Sequence, residues 1–143
     1  MEMPRLIINK QFEVLKIPQT THQSGTRIDF RSRRTYKSKQ LQEVEAFYTK
    51  LLKPFAPEAP IEGGALVDIS FYYKTAKRLR GLPRLSRPDV DNMAKTVLDV
   101  MTKLGYWNDD SQVIQLKAGK YNSENNRICI RVMPYEISTE VNT

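Results

Sequence analysis

The sequence predicts an α+β fold: a single domain with a mixed or antiparallel sheet and two main helices, ordered roughly β-β-α-β-α-β-β. Three observations lead there. Residues 65–74, ALVDISFYYK, are rich in β-branched and aromatic side chains and read as a central strand. Two segments, following Ser38 and Asp91, repeat apolar residues at helical spacing. Short β-type runs lie on both sides of them.

The elements follow in chain order. Residues 5–8 and 12–17 read as short strands, and 27–30 as another. The run 31–39, RSRRTYKSK, reads as a polar, basic loop. Ser38 is placed to cap a helix. Leu41, Val44, Phe47, Tyr48, Leu51 and Leu52 form the apolar face of that helix. Lys53-Pro54 stops it, and 55–64 is a loop. After the central strand, 75–88 reads as a long basic loop. Asp91 or a near neighbour caps the second helix, with stripe Met93, Val97, Val100, Met101 and Leu104 and Gly105 just past its end. Residues 113–121 and 127–133 are strands, and the Asn-rich turn between them suits a hairpin. The domain is expected to span 1–135, with 136–143 a frayed tail.

A chain of 143 residues can bury a core without disulfides or a structural metal. The single cysteine, Cys129, and single histidine, His22, rule out a Cys/His zinc site and leave no base for Ser–His or Cys–His catalysis. Cys129 reads as a small buried strand residue and His22 as a solvated loop residue. No apolar run could span a bilayer and the N-terminus has no signal-type core, so a cytoplasmic location is expected.

The net charge of +7 favours polyanionic partners, nucleic acid first and an anionic membrane surface second. Its placement is more telling. Lys74, Lys77, Arg78, Arg80, Arg84 and Arg87 lead into Asp89, which suits DNA-backbone contact. Arg31, Arg33, Arg34, Lys37 and Lys39 offer a second basic patch. Leu82 and Leu85 either pack under the loop or insert between unstacked bases.

The chemistry centres on RPDVDNMAKTVLDVMTKLGYWNDDSQV. If residues 89–91 are extended, Asp89 and Asp91 share a face. Two adjacent carboxylates repel unless a cation compensates them, and Mg²⁺ favours such oxygen donors. Lys95 lies one helical turn after Asp91. A second acidic pair, Asp109-Asp110, follows the helix. The helix is about 20 Å long, so that pair must travel back to meet the first. Plainer readings exist: Asp91-Asn92 as a cap, Asp109-Asp110 as a turn, Lys95 as a surface charge paired with Asp99.

Taken together, PDVDNMAKTVLD and GYWNDDSQV resemble the paired motifs of the RusA family of Holliday junction resolvases. The likeness covers about 87–113, with weaker agreement in 66–73 and 113–121. It implies a homodimeric, Mg²⁺-dependent endonuclease, with Mn²⁺ as a substitute ion, that resolves four-way DNA junctions by paired nicks. By the same resemblance, the metal carboxylates fall on Asp89, Asp91 and Asp110, and the essential lysine on Lys95. Asp109 also matches an acidic position, and local chemistry does not choose between it and Asp110. Such resolvases are often phage-encoded. Two other readings stand beside this one: a branched-DNA-binding protein that does not cut, and a metal-dependent nuclease for flaps or single strands. A DxD sugar transferase is disfavoured by the short chain.

Overall fold

A computed structural model describes residues 6–136. Its centre is β4, Ala65–Lys74, whose burial alternates along the strand. Ala65, Val67, Ile69, Phe71 and Tyr73 all point into the core. Three strands join β4 in a mixed sheet of order β1-β6-β4-β5: β1 is Ile8–Glu13, β5 Val113–Ser123 and β6 Arg127–Pro134. β6 lies antiparallel to both β4 and β1, and β5 lies parallel to β4.

A parallel pair needs a crossover, and a helix provides it. Helix α3, Val90–Lys103, runs back between β4 and β5. It buries Met93, Ala94, Thr96, Val97, Val100 and Met101, while Leu104 packs half-buried on the same core. Helix α2, Lys39–Leu52, packs beside it through Leu41, Val44, Tyr48 and Leu52. Ser38 caps α2 as expected, its hydroxyl accepting from the Leu41 amide at 3.2 Å. Gly105, at φ +85°, turns the chain out of α3. The turn drives Tyr106 and Trp107 fully into the core. Both polar atoms are satisfied there: Tyr106 Oη donates to the Leu52 carbonyl (2.6 Å) and Trp107 Nε1 to Thr102 Oγ1 (2.7 Å).

Several expectations are corrected. β5 and β6 are not a hairpin; they flank β4 on opposite sides. Their Asn-rich link passes the end of β4, where Asn126 Oδ1 accepts from the Lys74 amide at 2.8 Å. Turn chemistry reports that the chain reverses, not what lies between the two strands. The most apolar strand, β4, takes that central place because both its edges then find backbone partners. The strands read at 5–8 and 12–17 are replaced by one strand, β1, which joins residue 8 to residues 12 and 13; 14–17 lie beyond its end and Arg5 outside the described residues. The basic run 31–39 is not all loop: β3, Arg34–Lys37, pairs with β2, Thr26–Asp29. Before β2 lies a short helix, α1, His22–Gly25, with a Thr21/Ser24 capping box. Cys129 sits half-buried on the outer face of β6, between core residues Ile128 and Ile130. Burial raises its thiol pKa above the ordinary value. Residues 137–143 of the proposed tail lie outside the described part. Among the described residues, no helix is long and apolar enough to cross a membrane.

Candidate active site

Helix α3 organises the candidate residues. Asp89 is its N-cap, with extended backbone, and its side chain makes no capping hydrogen bond. The carboxylate is therefore free for another task, beside a helix end that favours negative charge. Asp91 lies in the first turn, so only Asp89 is extended and the same-face strand geometry does not apply. Lys95 follows one turn later, and Asp89, Asp91 and Lys95 are all exposed.

The second acidic pair meets the other end of α3. Asp109 and Asp110 border the same hollow as Asp99, Thr102 and Lys103. Asp109 has a structural duty there: its carboxylate caps the tight turn Asp110–Gln112, accepting from the Ser111 amide at 3.4 Å. Gln112 fixes that turn to the 61–63 loop by donating to the carbonyls of Ile61 (2.6 Å) and Gly63 (2.9 Å). The neighbouring acids split their titrations. A hydrogen bond with Asp110 pulls Asp109 below its ordinary pKa, and the same bond pushes Asp110 above its own. Lys95 opposes the rise at Asp110, so its charge reaches that far down the helix.

A groove links the two ends. Its floor is the exposed side of α3, and its wall is the segment 19–26. At one end Gln19, Thr21 and Gln23 face Pro88, Asp89 and Asn92. The middle holds His22, Thr26 and Lys95. The far end holds Asp99, Asp109 and Asp110. His22, read from sequence as a solvated loop residue, is instead a half-buried part of this wall. Its Nδ1 lies 2.5 Å from Asp99 Oδ2, and its Nε2 lies 3.6 Å from Glu45 Oε2. Glu45 also accepts from Lys37 (2.9 Å) and Lys103 (3.0 Å).

One chain does not gather the three proposed carboxylates. Among the described residues, no three His, Cys, Asp or Glu side chains cluster closely enough to hold an ion. Asp99, beside Asp110, lies eight residues beyond Asp91, or about 12 Å of helix rise.

The basic segment 75–88 is clamped over the edge strand β5. Asn122 Nδ2 donates to the carbonyls of Leu79 (3.0 Å) and Leu82 (3.1 Å). Lys120 Nζ donates to those of Ser86 (2.7 Å) and Pro88 (3.1 Å), the Arg87–Pro88 peptide being cis. Lys120 thus holds the backbone that delivers Asp89. Lys74, Lys77, Arg78, Arg80 and Arg87 remain exposed. Arg84 does not: its guanidinium lies 3.6 Å from the Tyr73 ring centre and donates to Asn122 Oδ1 at 3.3 Å. It braces the loop from beneath. Leu82 and Leu85 are 55% and 88% exposed, so they do not pack under the loop. Lys120, Asn122 and His22 went unread as site residues because their partners lie 32 to 77 residues away in sequence.

Residues 17–133 match the family described as "Endodeoxyribonuclease RusA". The chain is 34% identical over 128 residues to a crossover junction endodeoxyribonuclease of Lactococcus phage r1t, covering 85% of this chain and 94% of that one. It is 38% identical over 94 residues to the uncharacterized protein YqaN of Bacillus subtilis strain 168, covering 57% and 64%. It is 35% identical over 63 residues to the crossover junction endodeoxyribonuclease of Enterobacteria phage 82, covering 43% and 52%.

Proposed function

The chain belongs to the RusA endodeoxyribonuclease family, and from that premise we propose that it resolves four-way DNA junctions by paired, metal-dependent hydrolysis of phosphodiesters. The observation that carries the reading is the α3 groove: it runs from Asp89 past Lys95 to Asp110 and is entered from an exposed basic segment.

Asp89, Asp91 and Asp110 are the proposed metal ligands. Their donors suit a hard divalent cation, Mg²⁺ or Mn²⁺: all are exposed carboxylates, and Asp89 is free of capping. When bound, the ion lowers the pKa of a water and shields phosphate charge. Lys95 neutralises charge developing on the attacked phosphate. Lys74, Lys77, Arg78, Arg80 and Arg87 hold the DNA backbone, and Arg84 supports them from within the loop.

A homodimer is part of the proposal. A four-way junction needs two cuts, and a two-fold dimer offers two equivalent sites. It also answers the separation along α3. Asp99, beside Asp110, lies about 12 Å of helix rise beyond Asp91, so one chain holds its two acid pairs apart. In a site shared between subunits, Asp89 and Asp91 would meet Asp110 of the partner subunit.

The test is nicking of a synthetic four-way junction with Mg²⁺ or EDTA, beside Asp91→Asn. Symmetric paired nicks that need Mg²⁺ and vanish in the variant are expected. The incomplete carboxylate set of one chain favours a second reading, a branched-DNA binder that does not cut. Tight junction binding with no cutting in Mg²⁺ or Mn²⁺ would select it.

A further inference from the structure

All twelve residues from 26 to 37 are exposed, although they form a regular two-stranded hairpin. A hairpin without cover is marginal in water. This one nonetheless carries apolar side chains: Ile28 is 59% exposed, Phe30 89% and Tyr36 53%. Such a surface signals a partner.

The hairpin is built at both ends. At its tip the Asp29 carboxylate accepts from the Arg31 amide (3.0 Å) and Ser32 Oγ (3.0 Å). These bonds, the Arg31 amide first, hold its pKa below the ordinary value. The Arg33 amide closes the turn on the Asp29 carbonyl at 2.7 Å, with Arg33 at φ +57°. At its base the Ser38 amide donates to the Gly25 carbonyl at 2.8 Å. Gly25 packs so closely on α2 that a Cβ there would meet Leu41 Cβ at 2.6 Å. Both ends are fixed, and the faces between them are bare.

The charge names the partner. The twelve residues hold five cations and one carboxylate, and that carboxylate is spent on the turn. Arg27 folds back onto the Ser24 carbonyl. Arg31, Arg33 and Arg34 make no ion pair among the described residues. A second copy of so basic an arm would repel this one, whereas nucleic acid would attract it. Thr26 and Lys37, at the base, border the hollow that holds Asp109 and Asp110. The arm therefore rises from the rim of the groove.

We propose that this hairpin is a DNA-reading arm. Phe30 stacks on an unstacked base at the branch point, and Arg31, Arg33 and Arg34 hold the flanking phosphates. Every base offers a face to an aromatic ring, so such an arm reads branch shape rather than sequence. The proposal rests on the reading of the protein as a junction endonuclease.

The experiment uses the full chain and a four-way junction carrying 2-aminopurine at the branch or mid-arm, with Ca²⁺ in place of Mg²⁺. The wild-type protein should raise fluorescence at the branch and not mid-arm. Phe30→Ala should lose that signal and roughly ten-fold in junction affinity, the scale of one base on one ring. Phe30→Trp should keep both. Changing Arg31, Arg33 and Arg34 together to Ala should reduce the salt dependence of log affinity by about two to three. Wild-type signal and affinity in Phe30→Ala would overturn the arm while leaving the endonuclease reading intact. So would conversion of the protein to a monomer by Phe30→Ala, which would make the hairpin an interface between copies. A wild-type chain that neither binds nor cuts the junction would bring down the endonuclease reading, and the arm with it.

Discussion

At the scale of single residues, position along α3 separates the roles. Lys95 faces the groove between the two acid pairs, within electrostatic reach of Asp110. Lys95→Ala is expected to lower nicking roughly 10²- to 10³-fold, as for loss of other groups that stabilise transition-state charge. Junction affinity should stay within about two-fold; single-turnover nicking beside filter binding separates the two. Equal losses in both would assign Lys95 to binding. Glu45 carries a different expectation. Burial opposes its ionisation, but hydrogen bonds from Lys37 and Lys103 outweigh that and set its pKa below 4.5. A lowered folded-state pKa adds stability that is complete above the unfolded value and lost as pH falls through the folded one. Glu45→Gln should therefore cost on the order of 1 kcal/mol at pH 7. The gap to wild type should close as pH drops below 4.5. Urea melts across that range check it, and a gap that widened in acid would contradict the assignment.

At the scale of elements, one strand positions the basic loop that leads into Asp89. Lys120 and Asn122 lie on β5 and hold residues 79–88 by their backbone carbonyls. The loop's sequence can thus be devoted to exposed cations while its path is fixed from outside. Lys120→Met removes both bonds to the Ser86 and Pro88 carbonyls yet keeps the aliphatic stem. The expected result is faster amide exchange through residues 84–91 and nicking reduced about ten-fold, because Asp89 loses its fixed approach. The melting temperature should change little, since Lys120 lies outside the core cluster. Unchanged exchange would show that Asn122 and Arg84 suffice to hold the loop.

At the scale of the whole molecule, the separation along α3 predicts how mutant subunits complement each other. Asp91→Asn and Asp110→Asn proteins should each be inactive alone. If each site draws its acids from two subunits, a mixed dimer holds one site with both changes and one with neither. Mixing the two proteins should then restore nicking of one strand per junction, to about a quarter of wild-type nicking for random subunit exchange. If each chain completes its own site, mixing restores nothing. Denaturing gels of asymmetrically labelled junctions distinguish the two, and sedimentation shows whether the species is twice the 16.6 kDa chain.

Much of this protein is written locally in its chain. The β-branched and aromatic richness of ALVDISFYYK was enough to place β4 at the centre of the sheet, and the stripe from Met93 to Leu104 marked the buried side of α3. The cap at Ser38 was likewise legible. These signals are short-range, because strand and helix periodicities bring residues two to four apart onto one face. The family, too, lay in two short motifs. What tertiary structure decided has the opposite character. The insertion of β4 between β5 and β6, the half-burial of His22 against Asp99, the inward turn of Arg84 onto Tyr73 and the Lys120 clamp all join residues distant in sequence. Such pairings depend on which surfaces meet when the core closes, and periodicity carries no information about that. The two acid pairs show the division most plainly: the sequence already set a helix between the candidate carboxylates, and the fold decided that Asp109 and Asp110 stay at its far end, beside Asp99.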